Sequence, residues 1–226
     1  TEGLRKKVVE EGAAIGLAFD GDGDRLIAVD EKGQEITGDQ ILLICAKMLK
    51  DQGILKNDLL VGTVMSNLGL RVACKKYGFN YHASKVGDRY VLEDMLRLGG
   101  IIGGEESGHM IFLHHHTTGD GIITALQLLA AMVRTGKSLS DLAKMMDIYP
   151  QKLINVDVRS KPDISTVPQI VDVIERIEKE LGNDGRILVR YSGTQNMCRV
   201  MVEGPSDGVT ERHRMEIAEV VKTALG

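Results

Sequence analysis

The sequence predicts an α/β fold: a mixed α/β sheet domain over residues 37–149, a C-terminal α+β domain over 150–226 and, ahead of both, the C-terminal remnant of another α/β domain over 1–36. Three observations carry this reading. Strand-like and helix-like periods alternate between residues 39 and 146, which calls for a largely parallel sheet with helices on both faces. Beyond Tyr149-Pro150 the order becomes strand, helix, strand, strand, helix, which suits an antiparallel sheet with helices on one side. The opening helix-strand-loop-strand piece falls short of the roughly 40 residues below which an isolated domain needs staples, so it is expected to be the tail of a domain that begins elsewhere.

Residues 4–11 are charged and helix-like, and 14–19 and 26–29 are apolar and strand-like, the second run ending at the turn Asp30-Glu-Lys-Gly33. From Asp39, taken as an N-cap, Ile41, Ile44, Cys45, Met48 and Leu49 recur on one helical face, and Gly53 follows the end. Strand 59–64, helix 68–77, strand 80–83, helix 89–98, strands 101–103 and 110–113, and helices within 121–134 and 140–146 complete the alternation. The last part reads as strand 152–158, helix 167–181, strands 186–190 and 197–203, and helix 209–225. In helix 167–181 the stripe Ile170, Ile174, Ile177 and Leu181, flanked by Val167 and Val171, is a core face.

Composition narrows the function. The 226 residues carry 28 Lys and Arg against 32 Asp and Glu, a net charge of −4, so no broad basic field for nucleic acid exists and an anionic ligand needs a local basic pocket. The apolar runs 15–19 and 41–46 are far shorter than the roughly 18 residues of a membrane span, and no signal-peptide pattern opens the chain. A cytoplasmic protein without a membrane partner is expected. Cys45, Cys74 and Cys198 are widely spaced within apolar or strand-like segments, which fits reduced thiols better than disulfides or zinc.

Between the first two strands, Asp20, Asp22 and Asp24 alternate with Gly21 and Gly23. In an extended strand the outer carboxylates would lie about 13 Å apart, and on a helix the middle one would point away. A curled loop, with the glycines supplying the backbone freedom, brings all three together. An oxygen-only set favours Mg²⁺, Mn²⁺ or Ca²⁺ over zinc. Two alternatives stand beside this reading. An EF-hand would use Glu31 at its twelfth position, but Arg25 occupies the sixth, where the turn needs glycine, and the flanks read as strands. A solvated acidic turn without metal is the other.

Gly103-Gly-Glu-Glu-Ser-Gly-His109 follows a strand's carboxyl end, where α/β sheets place ligands. Glu105 and Ser107 offer an acceptor and a hydroxyl suited to vicinal sugar hydroxyls, and His109 is a candidate proton carrier; an ordinary polar turn explains the same residues. Lys85-Val-Gly-Asp-Arg-Tyr90 leads into a helix, so its amides with Lys85 and Arg89 could meet an anion, or Asp88 could simply cap a solvated helix start. His114-His-His116 is expected to be loop packing, since consecutive extended residues point to alternate faces. Arg190-Tyr-Ser-Gly-Thr-Gln195, with Arg199 in the next strand, is a cup of donors without a carboxylate, suited to phosphate. A plain hairpin loop would need only Gly193.

Taken together and in this order, the three loops resemble the α-D-phosphohexomutase family, from about residue 12 to the end. Members have four domains, with the acidic loop in the second, the Gly-Glu-x-Ser-Gly loop in the third and the Arg-x-Ser-x-Thr loop in the fourth, a TATA-box-binding-protein-like α+β domain. The stretches Lys-Val-Gly-Asp-Arg-Tyr-Val at 85–91 and Thr-Thr-Gly-Asp-Gly at 117–121 are most similar to the bacterial phosphoglucosamine mutase branch. That branch is an isomerase of amino sugar metabolism, supplying peptidoglycan precursors by interconverting glucosamine 6-phosphate and glucosamine 1-phosphate. The resemblance implies Mg²⁺ on Asp20, Asp22 and Asp24, with Arg25 near the transferring phosphoryl group. It implies sugar hydroxyls on Glu105 and Ser107, the unreactive phosphate on Arg190, Ser192, Gly193, Thr194 and Arg199, and proton transfer or phosphate contact at Lys85 and His109. A phosphorylated hexosamine is the implied substrate, and a homodimer is the implied state of the intact enzyme.

Two departures bear on activity. The Ser-His-Asn-Pro type loop that carries the family's phosphoserine is not in the sequence, and Met65-Ser-Asn-Leu68 lacks its His and Pro, so this chain by itself is expected not to turn over. Tyr191, Gln195 and Asn196 stand where the branch usually has Pro, Glu and Pro. The alternatives are a phosphomannomutase or phosphoglucomutase of the same family, or a non-catalytic metal- and sugar-phosphate-binding module.

Overall fold

The strand Leu59–Thr63 (β4) is buried at every position, so both faces of its sheet must be covered. It belongs to the first of two units, Thr1–Asp147 and Ile148–Gly226, in a computed structural model that describes residues 1–226. The other elements of the first unit are Glu2–Glu11 (α1), Ile15–Phe19 (β1), Leu26–Asp30 (β2), Glu35–Ile36 (β3), Gly38–Asp51 (α2), Leu68–Tyr77 (α3), Asn80–Ser84 (β5), Asp88–Leu98 (α4), Ile102–Gly104 (β6), Met110–Phe112 (β7), Gly121–Thr135 (α5) and Leu139–Ala143 (α6).

The main sheet runs β5-β4-β6-β7, with β4 parallel to β5 and β6, and β7 antiparallel to β6. The pleat sorts the core. Leu59, Val61 and Ile111 face Val91 and Met95 of α4, while Leu60, Ile102 and Phe112 join the larger core with α2, α3 and α5. The first strands form a separate antiparallel sheet, β1-β2-β3, with Phe19 opposite Leu26 at the end that carries the acidic loop.

Two local readings are corrected. The N-cap of α2 is Thr37, in a reciprocal capping box with Gln40, and not Asp39; Asp39 is fully buried and accepts the Asn67 amide at 2.7 Å. Nor is α2 buried on one face only, because Leu42, Leu43 and Ala46 are as inaccessible as Ile41 and Cys45. A helical stretch apolar all round, as over residues 41–46, belongs inside a core, and α2 lies against α3, α5, α6 and β6.

The second unit comprises Gln151–Asp157 (β8), Pro168–Leu181 (α7), Arg186–Tyr191 (β9), Met197–Glu203 (β10) and Asp207–Leu225 (α8). Its sheet is fully antiparallel in the order β8-β10-β9. Val156, Cys198, Val200 and Val202 meet both helices on one face. On α7 the buried stripe is Ile170, Val173, Ile177 and Leu181; Val173, three residues after Ile170, takes the place expected for Ile174, which is only partly buried at the edge of the same core. The opposite sheet face begins with Gln151, Glu203 and Arg186 in register, where the buried Glu203 carboxylate pairs with Arg186 and accepts Gln151 Nε2 at 3.1 Å. No helix of the chain is long and apolar enough to cross a membrane.

Candidate functional site

The acidic loop turns between β1 and β2, so antiparallel pairing up to Phe19 and Leu26 fixes both of its ends. One oxygen from each of Asp20, Asp22 and Asp24 lies within 4.8 Å of the others. The turn closes with Gly23 N–H donating to Asp20 O at 3.2 Å, and Arg25 N–H to Asp20 Oδ1 at 3.2 Å. Gly23 alone adopts a left-handed conformation, at φ 75°; Gly21 does not, so the curl needs one glycine where two were expected.

Desolvation pushes the Asp20 carboxyl upward, but the Arg25 amide and the Arg25 guanidinium, 3.7 Å away, hold it below the usual carboxylate range. Asp24 is divided between two tasks. Its Oδ2 is 3.0 Å from His109 Nδ1, and its Oδ1 is buried with no hydrogen-bond partner. An orphaned carboxylate oxygen beside two further carboxylates fits a hard divalent cation. The EF-hand alternative fails on geometry, because strands flank the loop and Glu31 instead takes the Ser140 hydroxyl at 2.5 Å and amide at 3.3 Å.

The Gly-Glu-x-Ser-Gly segment joins β6 to β7 as a tight hairpin, with Glu105 N–H donating to His109 O and Gly108 N–H to Glu105 O. Its backbone is wedged between neighbours. Gly38 N–H donates to Glu106 O at 3.1 Å, Leu26 N–H to Gly108 O at 3.2 Å, and a Cβ on Gly108, already at φ 89°, would come within 2.1 Å of Leu26 O. Ser107 is left exposed at the tip.

Glu105 is half-buried, and its Oε1 accepts the Gly87 amide at 2.8 Å. Gly87, not Asp88, is the N-cap of α4, so one of the amides expected to meet an external anion is engaged by Glu105. Arg89 pairs with Glu93 along the helix, and the Lys85 ammonium lies 5.7 Å from the Tyr90 ring centre.

His109 is 4% exposed and ties three segments together. Gly119 N–H donates to its Nε2 at 3.2 Å, so Nδ1 carries the proton and donates to Asp24. With both ring nitrogens engaged, His109 in this arrangement supports Asp24; carrying a proton would require Gly119 to release Nε2. His114, His115 and His116 are exposed and diverge, His115 toward Gln127 and His116 toward the Thr118 amide. Burial pushes the thiols of Cys45 and Cys74 up to about 12 and that of Cys198 to about 11, which removes them as nucleophiles.

In the second unit, residues 192–196 connect β9 to β10. Register places Arg190 directly opposite Arg199 on the sheet face away from the helices. Neither has an acidic partner, and Arg199 Nε is buried without a hydrogen bond. Burial first, and repulsion from Arg199 second, push the Arg190 guanidinium below its ordinary value. Two like charges opposite one another on a sheet are destabilising until an anion separates them. The buried Ser192 accepts the Gln195 amide on Oγ at 3.2 Å, and its O–H remains available as a donor. Lys161, absent from the expected set, donates to Ser192 O at 2.9 Å.

Gly193 has no left-handed φ, and a Cβ there would meet nothing within 4 Å. The turn therefore does not need this glycine; what glycine provides is open space above the loop backbone. Gly193→Ala is expected to leave the melting temperature unchanged or slightly higher. It should weaken inorganic phosphate binding about tenfold, by a methyl group in the ligand's space, as read by NMR titration.

Residues 37–149 match the family model described as phosphoglucomutase/phosphomannomutase, alpha/beta/alpha domain III, and residues 153–220 match that of the C-terminal domain. The chain belongs to the phosphoglucomutase/phosphomannomutase family. Within the family, the chain is similar to the phosphoglucosamine mutase of Syntrophobacter fumaroxidans, with 74% identity over all 226 residues, and to that of Syntrophus aciditrophicus, with 61% identity over 225. It spans about half the length of these curated relatives, 50% in each case. The family fold also appears in an Aspergillus fumigatus N-acetylphosphoglucosamine mutase solved with GlcNAc-6P and magnesium. That structure has a TM-score of 0.74 at 20% identity, covering 93% of this chain and 49% of that one. A Burkholderia thailandensis phosphoglucomutase/phosphomannomutase family protein gives 0.74 at 21% identity, covering 99% and 49%.

Proposed function

We propose that this chain serves a phosphoglucosamine mutase that interconverts glucosamine 6-phosphate and glucosamine 1-phosphate in the cytoplasm. The supporting observation is the acidic loop: three carboxylate oxygens within 4.8 Å and the orphaned, buried Asp24 Oδ1 make a site for Mg²⁺. Residues 1–36 are the end of its metal-binding domain, 37–149 the sugar-binding domain and 150–226 the phosphate-binding domain.

Asp20, Asp22 and Asp24 hold the cation, with Asp24 steadied by His109. The bound Mg²⁺ supplies positive charge to offset what accumulates on a transferring phosphoryl group. Arg25, half-exposed beside Asp20, adds a guanidinium to the same charge. Glu105 keeps Oε2 for a sugar hydroxyl while Oε1 stays on Gly87, and Ser107 presents a second hydroxyl contact from the loop tip. Arg190 and Arg199 clamp the phosphate that does not react, with Ser192, Gly193 and Thr194 donating around it. Lys85, with its exposed ammonium, is the group assigned to proton transfer or phosphate contact, and the buried His109, expected from the sequence to share that part, is assigned to holding Asp24.

The phosphoryl group itself comes from a phosphoserine, which these residues do not provide. It passes to the free sugar hydroxyl, whose proton leaves to a base, and after the bisphosphorylated sugar reorients its other phosphate returns to the serine. Calorimetry on the chain separates this reading from that of a calcium-binding module. Mg²⁺ binding together with a glucosamine 6-phosphate response supports the mutase, whereas tight Ca²⁺ binding alone with no sugar-phosphate response contradicts it.

A further inference from the structure

The Thr-Thr-Gly-Asp-Gly segment at 117–121 meets the acidic loop at Gly121 and the ring that supports it at Gly119. Gly121 N–H donates to Gly23 O at 2.9 Å, and a Cβ on Gly121 would lie 2.8 Å from Arg25 O and 2.9 Å from Gly23 O, the residues on either side of Asp24. Gly119 N–H donates to His109 Nε2, and a Cβ on Gly119 would lie 2.3 Å from Cε1, 2.4 Å from Nε2 and 2.6 Å from Nδ1 of that ring. The backbone of Gly119 thus lies against the face of the imidazole whose Nδ1 reaches Asp24 Oδ2. Between the two glycines, Asp120 caps α5 by accepting the Ile123 amide at 2.9 Å, which anchors the turn to a fifteen-residue helix.

We propose that the Gly119-Asp120-Gly121 turn is a positioning clamp for the metal loop: Gly119 sets the plane of the His109 ring, and through it the direction of the Asp24 carboxylate, while Gly121 holds the loop backbone around Asp24. The inference rests on the metal reading of the acidic loop but assigns a new part to it. No heavier residue fits at Gly119, because three ring atoms already occupy the space a side chain would take. A ring pushed aside there carries Nδ1 away from Asp24, and partners that orient a ligating group are worth about 10–100-fold in metal affinity.

The test is Mn²⁺ binding to the 226-residue chain, read by electron paramagnetic resonance, with circular dichroism as the check on folding. Gly119→Ala is expected to weaken Mn²⁺ binding about tenfold or more. His109→Asn keeps a donor where Nδ1 stands while removing the rest of the ring, so it is expected to stay within about threefold of the wild type, a loss below the second-shell range. The double variant Gly119→Ala/His109→Asn should recover most of the affinity of His109→Asn, because the two closest contacts, to Cε1 and Nε2, are gone and the shorter amide can yield at the third. A merely structural role for Gly119 would not show that recovery. Wild-type affinity in Gly119→Ala overturns the clamp, as does a double variant that remains as weak as Gly119→Ala or does not fold. A wild-type chain that takes up no Mn²⁺ instead overturns the metal reading on which the clamp rests.

Discussion

Replacing Asp22 with alanine lowers the affinity of the chain for Mg²⁺ about 100-fold, since ligand charge count is the main lever on hard-cation affinity, and leaves the metal-free protein as stable as before. The reason for the split is its place in the loop. Asp20 accepts the Arg25 amide and Asp24 meets His109, so both have structural work besides any ligand. Asp22 is exposed and contributes only its carboxylate to the cluster. Its removal takes one negative charge from three crowded oxygens, so the melting temperature without metal holds or rises slightly. Calorimetric titration with Mg²⁺, alongside a melting curve in chelator, checks both halves. Unchanged Mg²⁺ affinity would mean that the cluster is a solvated acidic turn.

The second large effect lies in the other unit. Arg190→Met should reduce affinity for glucosamine 6-phosphate about 100-fold, since a hydrogen bond to a charged group contributes about 1.5–3 kcal/mol. The same change should raise the melting temperature of the ligand-free protein by a few degrees, because it removes one of two like charges held directly opposite on neighbouring strands, a repulsion of about 0.2–1 kcal/mol. Opposite signs for affinity and stability mark a site built for a ligand. A variant that loses stability and affinity together would instead place Arg190 in the scaffold.

The three loops were legible because their chemistry is local. Asp20, Asp22 and Asp24, or Arg190, Ser192 and Thr194, lie within a few residues of each other, so spacing alone says which ligand they suit. The sheet and helix order was legible for a similar reason, as in the switch from the short continuous apolar run around Val61 to the helical stripe of α7. What stayed hidden depends on distant pairing. His109 and Asp24 are 85 residues apart, and Glu105 reaches Gly87 across 18; neither separation leaves a trace in periodicity.

Capping of α2 was misread for a related reason. Asp39 and Thr37 are both good N-caps by type, and only the tertiary demand of the Asn67 amide draws Asp39 into the interior. Glycine needed the structure most. Gly23 is required by backbone angle, Gly119 by the ring against it and Gly193 by neither, and the sequence shows the same letter for each.

The most direct test replaces the matching half of the Syntrophobacter fumaroxidans phosphoglucosamine mutase with this chain and follows glucosamine 6-phosphate by ³¹P NMR. Mg²⁺-dependent appearance of glucosamine 1-phosphate, abolished by Asp22→Ala and faster in kcat/KM than conversion of mannose or glucose phosphates, is the predicted result. A folded chimera that leaves glucosamine 6-phosphate unchanged, or that prefers another hexose phosphate, would contradict the account.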